Sequence, residues 1–321
     1  MNLPTLSEVI ARAIVLTACI TAPAAAQSGL DQPQPFAPYL NGVFPANPPG
    51  STPGGTWTTQ NAFPALSFPE PVRIVEHPRE NKLVVVSKTG PIWIFNSAAS
   101  TTTKQVLLDL TSKTNHPDVG EGGVSGFAFH PDFGVSTSPN RGYIYVAYRH
   151  TPGKTGIQLP EQAGFNRISR FTVPDGATTA SLSSEQILIN QYDRQQWHIG
   201  GDMFFGTDGF LYIGVGDEGQ AFSRIDATQR VDGGLWSGIL RIDVDNNPTL
   251  SVPIARQPRE PAQINNSVTS QLNPRPTSWP ATSSQGYSIP LDNPFRTAAP
   301  AGGGQAPTLG EFYAIGLRHP W

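Results

Sequence analysis

Short apolar runs separated by turn residues recur along the chain from residue 71 to residue 316. The runs are rich in valine, isoleucine and aromatic residues, and apolar positions alternate with polar ones, which is typical of β-strands. Twelve runs form three groups of four: 71–75, 82–86, 91–95 and 105–108; then 125–129, 143–148, 167–173 and 186–189; then 202–205, 210–214, 239–244 and 312–316. The second and third groups carry similar turns, FHPDF and FGTDGF. Repeated four-stranded units predict an all-β fold, a β-propeller of four-stranded blades. A sandwich or jelly roll is the alternative.

The third group is interrupted between its third and fourth strands by a polar, proline-rich insert, 246–285, which we predict to be a long loop and not a domain. The propeller segment then covers 60–321, with about three blades and the start of a fourth. Closed propellers have roughly four to eight blades. We therefore expect that the chain is a fragment, or that other blades are supplied elsewhere.

The N-terminal residues 1–26 are predicted to be an export signal. Arg12 precedes an apolar stretch, and the small residues APAAA come before Gln27, so cleavage is expected after Ala26. Cleavage at a lipoprotein motif ending in Cys19 is the less favoured alternative. Residues 27–59, rich in proline and glycine, are predicted to be an extended leader. The protein is thus expected to be periplasmic or secreted, and no later segment has the roughly 20 apolar residues of a membrane span.

Composition supports a turn-rich protein and excludes some partners. Charged residues make up only 14% of the 321 residues, and glycine and proline number 32 each. The formal net charge of −3 and the lack of a basic run argue against nucleic acid or a membrane surface as partner. Cys19 is the only cysteine, so the mature chain would have no disulfide.

The segment QQWHIGGDMFFGTDGFLYIGVGDEG, residues 195–219, predicts a β-hairpin that turns at Asp208. In an antiparallel pair centred there, His198 falls within about two positions of Asp217. A carboxylate on one ring nitrogen fixes the tautomer and leaves the other nitrogen as a general base. A structural hydrogen bond without catalysis is the alternative interpretation of this pair.

Blade topology predicts that further polar side chains join this pair. Glu121 and Arg318 precede positions where innermost strands are expected, as His198 does, and Asp217 follows a second strand. Loops of these two kinds lie on the same face of a propeller. We therefore expect Glu121, His198, Asp217 and Arg318 to converge on one rim.

Two other motifs are interpreted as coincidental. GVGDEG at 214–219 matches G-x-G-x-x-G, but no helical period follows and its acidic residues would repel a pyrophosphate. DVDNN at 243–247 resembles the start of a calcium loop, but Pro248 stands where glycine is needed. We interpret it as a strand end with solvated carboxylates, and we interpret His130 as a turn residue.

The blocks GEGGVSGFAFHPDF, NRISRFTV, the hairpin above, GILRIDVD, YSIPLDNPF and GLRHPW occur in an order similar to that of glucose/sorbosone dehydrogenases. These are soluble aldose dehydrogenases that use pyrroloquinoline quinone (PQQ), and the resemblance covers about 64–321. It implies a six-bladed β-propeller that oxidises an aldose at C1 to a lactone, with hydride passing to PQQ. The electron acceptor that then reoxidises PQQ is not implied.

The resemblance implies roles for five residues. His198 matches the general base, Asp217 the carboxylate that supports it, and Arg318 the arginine that contacts the quinone carbonyl. Glu121 matches a residue lining the sugar pocket, and His319, at the position of a usual asparagine, lies beside the cofactor. The family's calcium ligands and the basic residues for the PQQ carboxylates correspond to positions beyond residue 321, so no metal ligand is assigned in this chain.

A different class of function is the rival hypothesis. A non-catalytic propeller, related to the hedgehog-interacting proteins, would bind carbohydrate or protein and have no redox activity.

Overall fold

The computed structural model describes residues 58–114, 121–153, 163–194, 197–219, 226–260 and 275–320. The chain divides into two compact units, Met1–Gln60 and Asn61–Trp321, and nearly all described residues belong to the second. The predicted export signal (1–26) and most of the predicted leader (27–59) therefore lie outside the described residues.

Each of the twelve predicted runs forms a strand. The first antiparallel sheet has the order β1 (Pro71–Glu76), β2 (Lys82–Ser87), β3 (Pro91–Asn96), β4 (Gln105–Asp109). The second contains β5 (Val124–Phe129), β6 (Tyr143–His150), β7 (Gly164–Thr172), β8 (Gln186–Asp193). The third contains β9 (Met203–Phe205), β10 (Leu211–Val215), β11 (Gly238–Ile242) and β15 (Phe312–Ile315). Successive sheets of four antiparallel strands confirm the all-β, propeller-type fold.

The three sheets lie side by side as blades. β1 contacts β5, and β5 contacts β9, so the first strand of each sheet is its innermost strand. Apolar side chains fill the space between blades. Val84, Leu108 and Phe127 belong to the core between the first and second blades, and Tyr145 and Leu240 belong to the core between the second and third.

The insert between β11 and β15 is more ordered than predicted. β12 (Ser251–Pro253) pairs with β14 (Ser288–Pro290), and β13 (Ser283–Ser284) adds a fifth strand beside β8. The prediction of a long loop over 246–285 was therefore wrong at β12 and β13, whereas β14 follows the predicted insert, and residues 261–274 lie outside the described part. The physical reason is burial, since Val252 and Tyr287 pack against the core of the neighbouring blades.

The prediction of solvated carboxylates at 243–247 is wrong for Asp243, which is buried, and holds for Asp245, whose side chain is exposed. Asp243 is 3% exposed, and its carboxylate accepts hydrogen bonds from the backbone N–H groups of Asp245 and Asn247 and from the Ser251 hydroxyl. Asp245 is more exposed and pairs with Nε2 of His130 at 3.0 Å. Donors from the turn itself satisfy the Asp243 carboxylate.

Helical structure in the described ranges is limited to two short 3₁₀ turns, Leu182–Ser184 and Asp226–Gln229. No helix among the described residues has the length and apolar character needed to cross a membrane.

Candidate active site

The β9–β10 hairpin brings His198 and Asp217 together. Leu211 faces Phe205 and Ile213 faces Met203, so the hairpin is centred on Asp208 as predicted. Beyond its ends, His198 precedes β9 and Asp217 follows β10. Nδ1 of His198 lies 2.6 Å from Oδ1 of Asp217.

The local backbone fixes this pair. His198 has a φ of 52°, in the left-handed region that favours glycine. A Cβ atom at Gly216 would lie 1.7 Å from the carbonyl oxygen of His198, so only glycine allows the two segments to approach so closely. The backbone N–H of Gly219 donates to Oδ1 of Asp217 at 3.0 Å. The imidazole and the carboxylate are thus held in place by the chain itself.

The pair is also shielded from water, since the side chains of His198 and Asp217 are 11% and 14% exposed. Because the carboxylate binds at Nδ1, the neutral imidazole keeps its proton there and leaves Nε2 as an acceptor. The arrangement therefore provides a histidine able to take a proton from a bound hydroxyl group.

Glu121 and His319 lie beside the pair, although they are 198 positions apart in the sequence. Nδ1 of His319 is 3.0 Å from Oε2 of Glu121, and the His198 and His319 rings are 5.4 Å apart, edge to face. Burial opposes ionisation of Glu121. The hydrogen bond and charge of His319, together with the backbone N–H of His198, nevertheless hold the pKa of Glu121 below its usual value.

Arg318 reaches the same rim through its backbone, because its carbonyl oxygen accepts a hydrogen bond from the N–H of Asp217 at 3.1 Å. Its guanidinium group is exposed and forms no ion pair within the described ranges. The structure therefore groups Glu121, His198, Asp217 and His319, and it leaves the Arg318 side chain facing solvent.

A buried charge network behind the pair was not predicted. Arg194 donates to Glu218 at 2.7 Å, and Arg149 lies 2.9 Å from Asp193, with all four side chains buried. Burial and the carboxylate of Asp193 raise the pKa of Glu218 well above its usual value, against the effect of Arg194. The Arg194–Glu218 pair links the segment before His198 to the residue after Asp217. Charge pattern alone does not distinguish such buried arginines from the solvated ones of a surface strand.

Taken together, these features define a propeller-type protein with a histidine–carboxylate pair on one rim of its blades. The model of the Glucose / Sorbosone dehydrogenase family matches residues 68–267. Because that match takes in more than half of the chain, the protein belongs to this family.

Similar proteins come from animals, plants and bacteria. Hedgehog-interacting protein of Homo sapiens is 28% identical over 180 residues, 54% of this chain and 24% of the relative. HIPL1 protein of Arabidopsis thaliana is 31% identical over 243 residues, 67% of this chain and 29% of the relative. Quinoprotein glucose dehydrogenase B of Acinetobacter calcoaceticus is 32% identical over 102 residues, 32% of this chain and 19% of the relative.

Among solved structures, the PQQ-bound form of Aldose Sugar Dehydrogenase from Streptomyces coelicolor is 22% identical, with a TM-score of 0.42, 58% of this chain covered and 49% of that chain. The chain thus spans about half of that structure and about a fifth to a third of these curated relatives.

Proposed function

We propose that the protein takes part in PQQ-dependent oxidation of an aldose sugar at C1, giving the lactone. The observation that carries this proposal is the shielded His198–Asp217 pair, in which a carboxylate 2.6 Å from Nδ1 leaves Nε2 as a base. Membership of the Glucose / Sorbosone dehydrogenase family and the similarity to a quinoprotein glucose dehydrogenase support it.

The charges at the rim fit one end of this cofactor. PQQ carries carboxylates and carbonyl oxygens, so it needs cationic or N–H donors beside it. Arg318 offers an exposed guanidinium that no carboxylate in the described part neutralises, and His319 offers a second donor beside His198. We assign these two residues to the quinone edge. The carboxylates require further cations than these residues supply.

The residues of this chain divide the work of the reaction. When bound, PQQ supplies the acceptor for the hydride that leaves C1 of the sugar. His198 accepts the proton of the anomeric hydroxyl at Nε2, and Asp217 stabilises the imidazolium that results. Glu121 lies within reach of both histidines and lines the place where the sugar hydroxyl groups would bind.

The test is dye reduction by the full-length protein, expressed from the complete gene, with an aldose, PQQ and Ca²⁺. His198→Ala and Asp217→Asn are expected to lower the turnover rate by about 10²-fold or more, because the first removes the base and the second removes the carboxylate that positions it. Asp245→Asn is the matched control, since it removes the carboxylate beside another histidine, His130, away from this rim. Full activity in His198→Ala would overturn the assigned mechanism.

A non-catalytic binding module is the second candidate, and the similarity to hedgehog-interacting protein favours it. Such a module would bind a carbohydrate or protein ligand whether or not His198 is present. Glycan-array binding by wild type and His198→Ala, measured beside the dye assay, separates the two. Ligand binding without dye reduction in either protein would support the module.

We also propose that the protein is exported, as residues 1–26 indicate. Sequencing of the N-terminus of protein recovered outside the cytoplasm is expected to begin at Gln27. An N-terminus at Met1 would contradict the proposed cleavage.

A further inference from the structure

Three side chains with metal-binding atoms meet at the rim described above. One ligand atom each from Glu121, His198 and His319 lies within 4.8 Å of the other two. The side chains are 28%, 11% and 11% exposed, so they are largely shielded from bulk water. We propose that these three residues bind a divalent first-row transition metal ion of the Zn²⁺ type.

The donor set decides the class of metal. Two imidazole nitrogens and one carboxylate oxygen suit Zn²⁺, Co²⁺ or Ni²⁺, and this combination leaves positions open for water or another ligand. Calcium takes six to eight oxygen ligands, so it is a poor match for two nitrogens. The site is therefore distinct from the calcium sites that the family resemblance implies.

Asp217 orients one of the ligands. Its carboxylate binds Nδ1 of His198 at 2.6 Å, which leaves Nε2 as the coordinating nitrogen. Histidine ligands of metal ions commonly donate their other N–H to a carboxylate in this way, and the arrangement fixes the tautomer and the ring direction. The N–H of Gly219 holds the same carboxylate oxygen at 3.0 Å, so the metal-facing nitrogen is positioned before a metal arrives.

The distances require only a small closure. Tetrahedral zinc, with bonds of about 2.0–2.1 Å, separates its ligands by roughly 3.3 Å. Glu121 and His319 are already 3.0 Å apart at Oε2 and Nδ1. All three ligand atoms lie within 4.8 Å of one another, so the widest pair would have to close by at most about 1.5 Å for one ion to bind all three.

Metal binding does not depend on the proposed dehydrogenase activity. Both uses require Nε2 of His198, so an ion bound there excludes proton transfer to that nitrogen. Occupancy by a transition metal is therefore expected to block the proposed reaction, and a direct binding measurement remains informative if the chain has no such activity.

The experiment uses the full chain without a histidine tag, stripped of metal with a chelator. Co²⁺ is titrated in and followed by its visible d–d absorption, and Zn²⁺ by calorimetry. We expect one ion per chain. Glu121→Gln and His319→Asn, checked for folding by circular dichroism, are each expected to weaken Zn²⁺ binding about 10-fold or more, and Asp217→Asn about 10–100-fold.

Glu80→Gln is the matched control, because Glu80 also lies near a histidine, 3.7 Å from His77, but is far more exposed than Glu121. The Zn²⁺ affinity of Glu80→Gln is expected to equal that of the wild type. Absence of the Co²⁺ band and of Zn²⁺ heat, or equal affinity in wild type, Glu121→Gln and His319→Asn, would overturn the proposal.

Discussion

Replacing Glu311 by glutamine is expected to remove a large pH dependence of stability. Glu311 precedes β15, is 0% exposed and accepts a hydrogen bond from the hydroxyl of Tyr287 at 2.8 Å. No cation pairs with its carboxyl group in the described part of the chain. Burial raises the pKa of Glu311 from 4.5 to about 7, and the hydrogen bond from Tyr287 offsets only part of that rise.

The raised pKa of Glu311 fixes both the sign and the size of the pH dependence of stability. Between pH 4.5 and 7 the folded state holds a proton on Glu311 that the unfolded state has lost, so this group favours folding most at low pH. That contribution is lost as the pH rises through 7. At about 1.4 kcal/mol per pKa unit, the loss amounts to about 3 kcal/mol.

Glutamine keeps an oxygen that accepts the Tyr287 hydroxyl and never ionises. The free energy of unfolding of wild type is therefore expected to fall by about 3 kcal/mol relative to Glu311→Gln between about pH 4.5 and pH 8. The assay is urea denaturation of both proteins across this range, analysed as a difference between them at each pH.

Glu76→Gln serves as the control, because Glu76 is an exposed residue at the end of β1. Its difference from wild type is expected to stay flat with pH. A flat difference for Glu311→Gln as well would refute the reasoning, since it would mean that the folded state tolerates the buried carboxylate at no cost.

Three further substitutions have defined outcomes. Gly216→Ala places a Cβ atom 1.7 Å from the carbonyl oxygen of His198, so we expect the free energy of unfolding to fall by about 3 kcal/mol or more, measured by thermal denaturation. Gly233→Ala has open space around the added Cβ atom and is expected to stay near wild type. Equal losses in the two variants would contradict this. Arg194→Met leaves the buried carboxylate of Glu218 unpaired and is expected to lower the free energy of unfolding by about 3–5 kcal/mol at pH 8, measured by urea denaturation. The cost is expected to be smaller at pH 5, where the carboxyl group of Glu218 is protonated. A cost that does not change with pH would argue against this. Tyr287→Phe removes the hydroxyl that donates to the buried carboxyl group of Glu311 and is expected to lower the free energy of unfolding by about 1.5–3 kcal/mol at pH 8. An unchanged midpoint of urea denaturation would count against a stabilising role for this hydrogen bond.

The strands and the β9–β10 hairpin were predictable because they depend on the local pattern of apolar and turn residues. Side chains in a strand alternate between faces, and the turn at Asp208 fixes the register in which β9 and β10 pair. His198 and Asp217 are therefore brought together by a hairpin of about 20 residues, which sequence inspection is able to detect.

Features that depend on distant partners were not predictable. β13 consists of two polar serines, Ser283–Ser284, and it is a strand only because β8 offers an edge to pair with. The segment DVDNN at 243–247 has the composition of a solvated turn, but the packing of the insert buries Asp243. Likewise, no local signal in the sequence marks Arg194 as the buried partner of Glu218.

The pairing of β13 with β8 has a consequence for how the blades come apart. Blades in a radial array contact their neighbours, so their unfolding is approximated by separate units joined by nearest-neighbour terms. Here a segment that belongs to the third blade completes the sheet of the second, through the pairs of Ser283 with Asn190 and Ser284 with Ile189. The amide protons of β8 and β11 are therefore expected to exchange with solvent at one shared opening free energy, so that two blades behave as a single cooperative foldon.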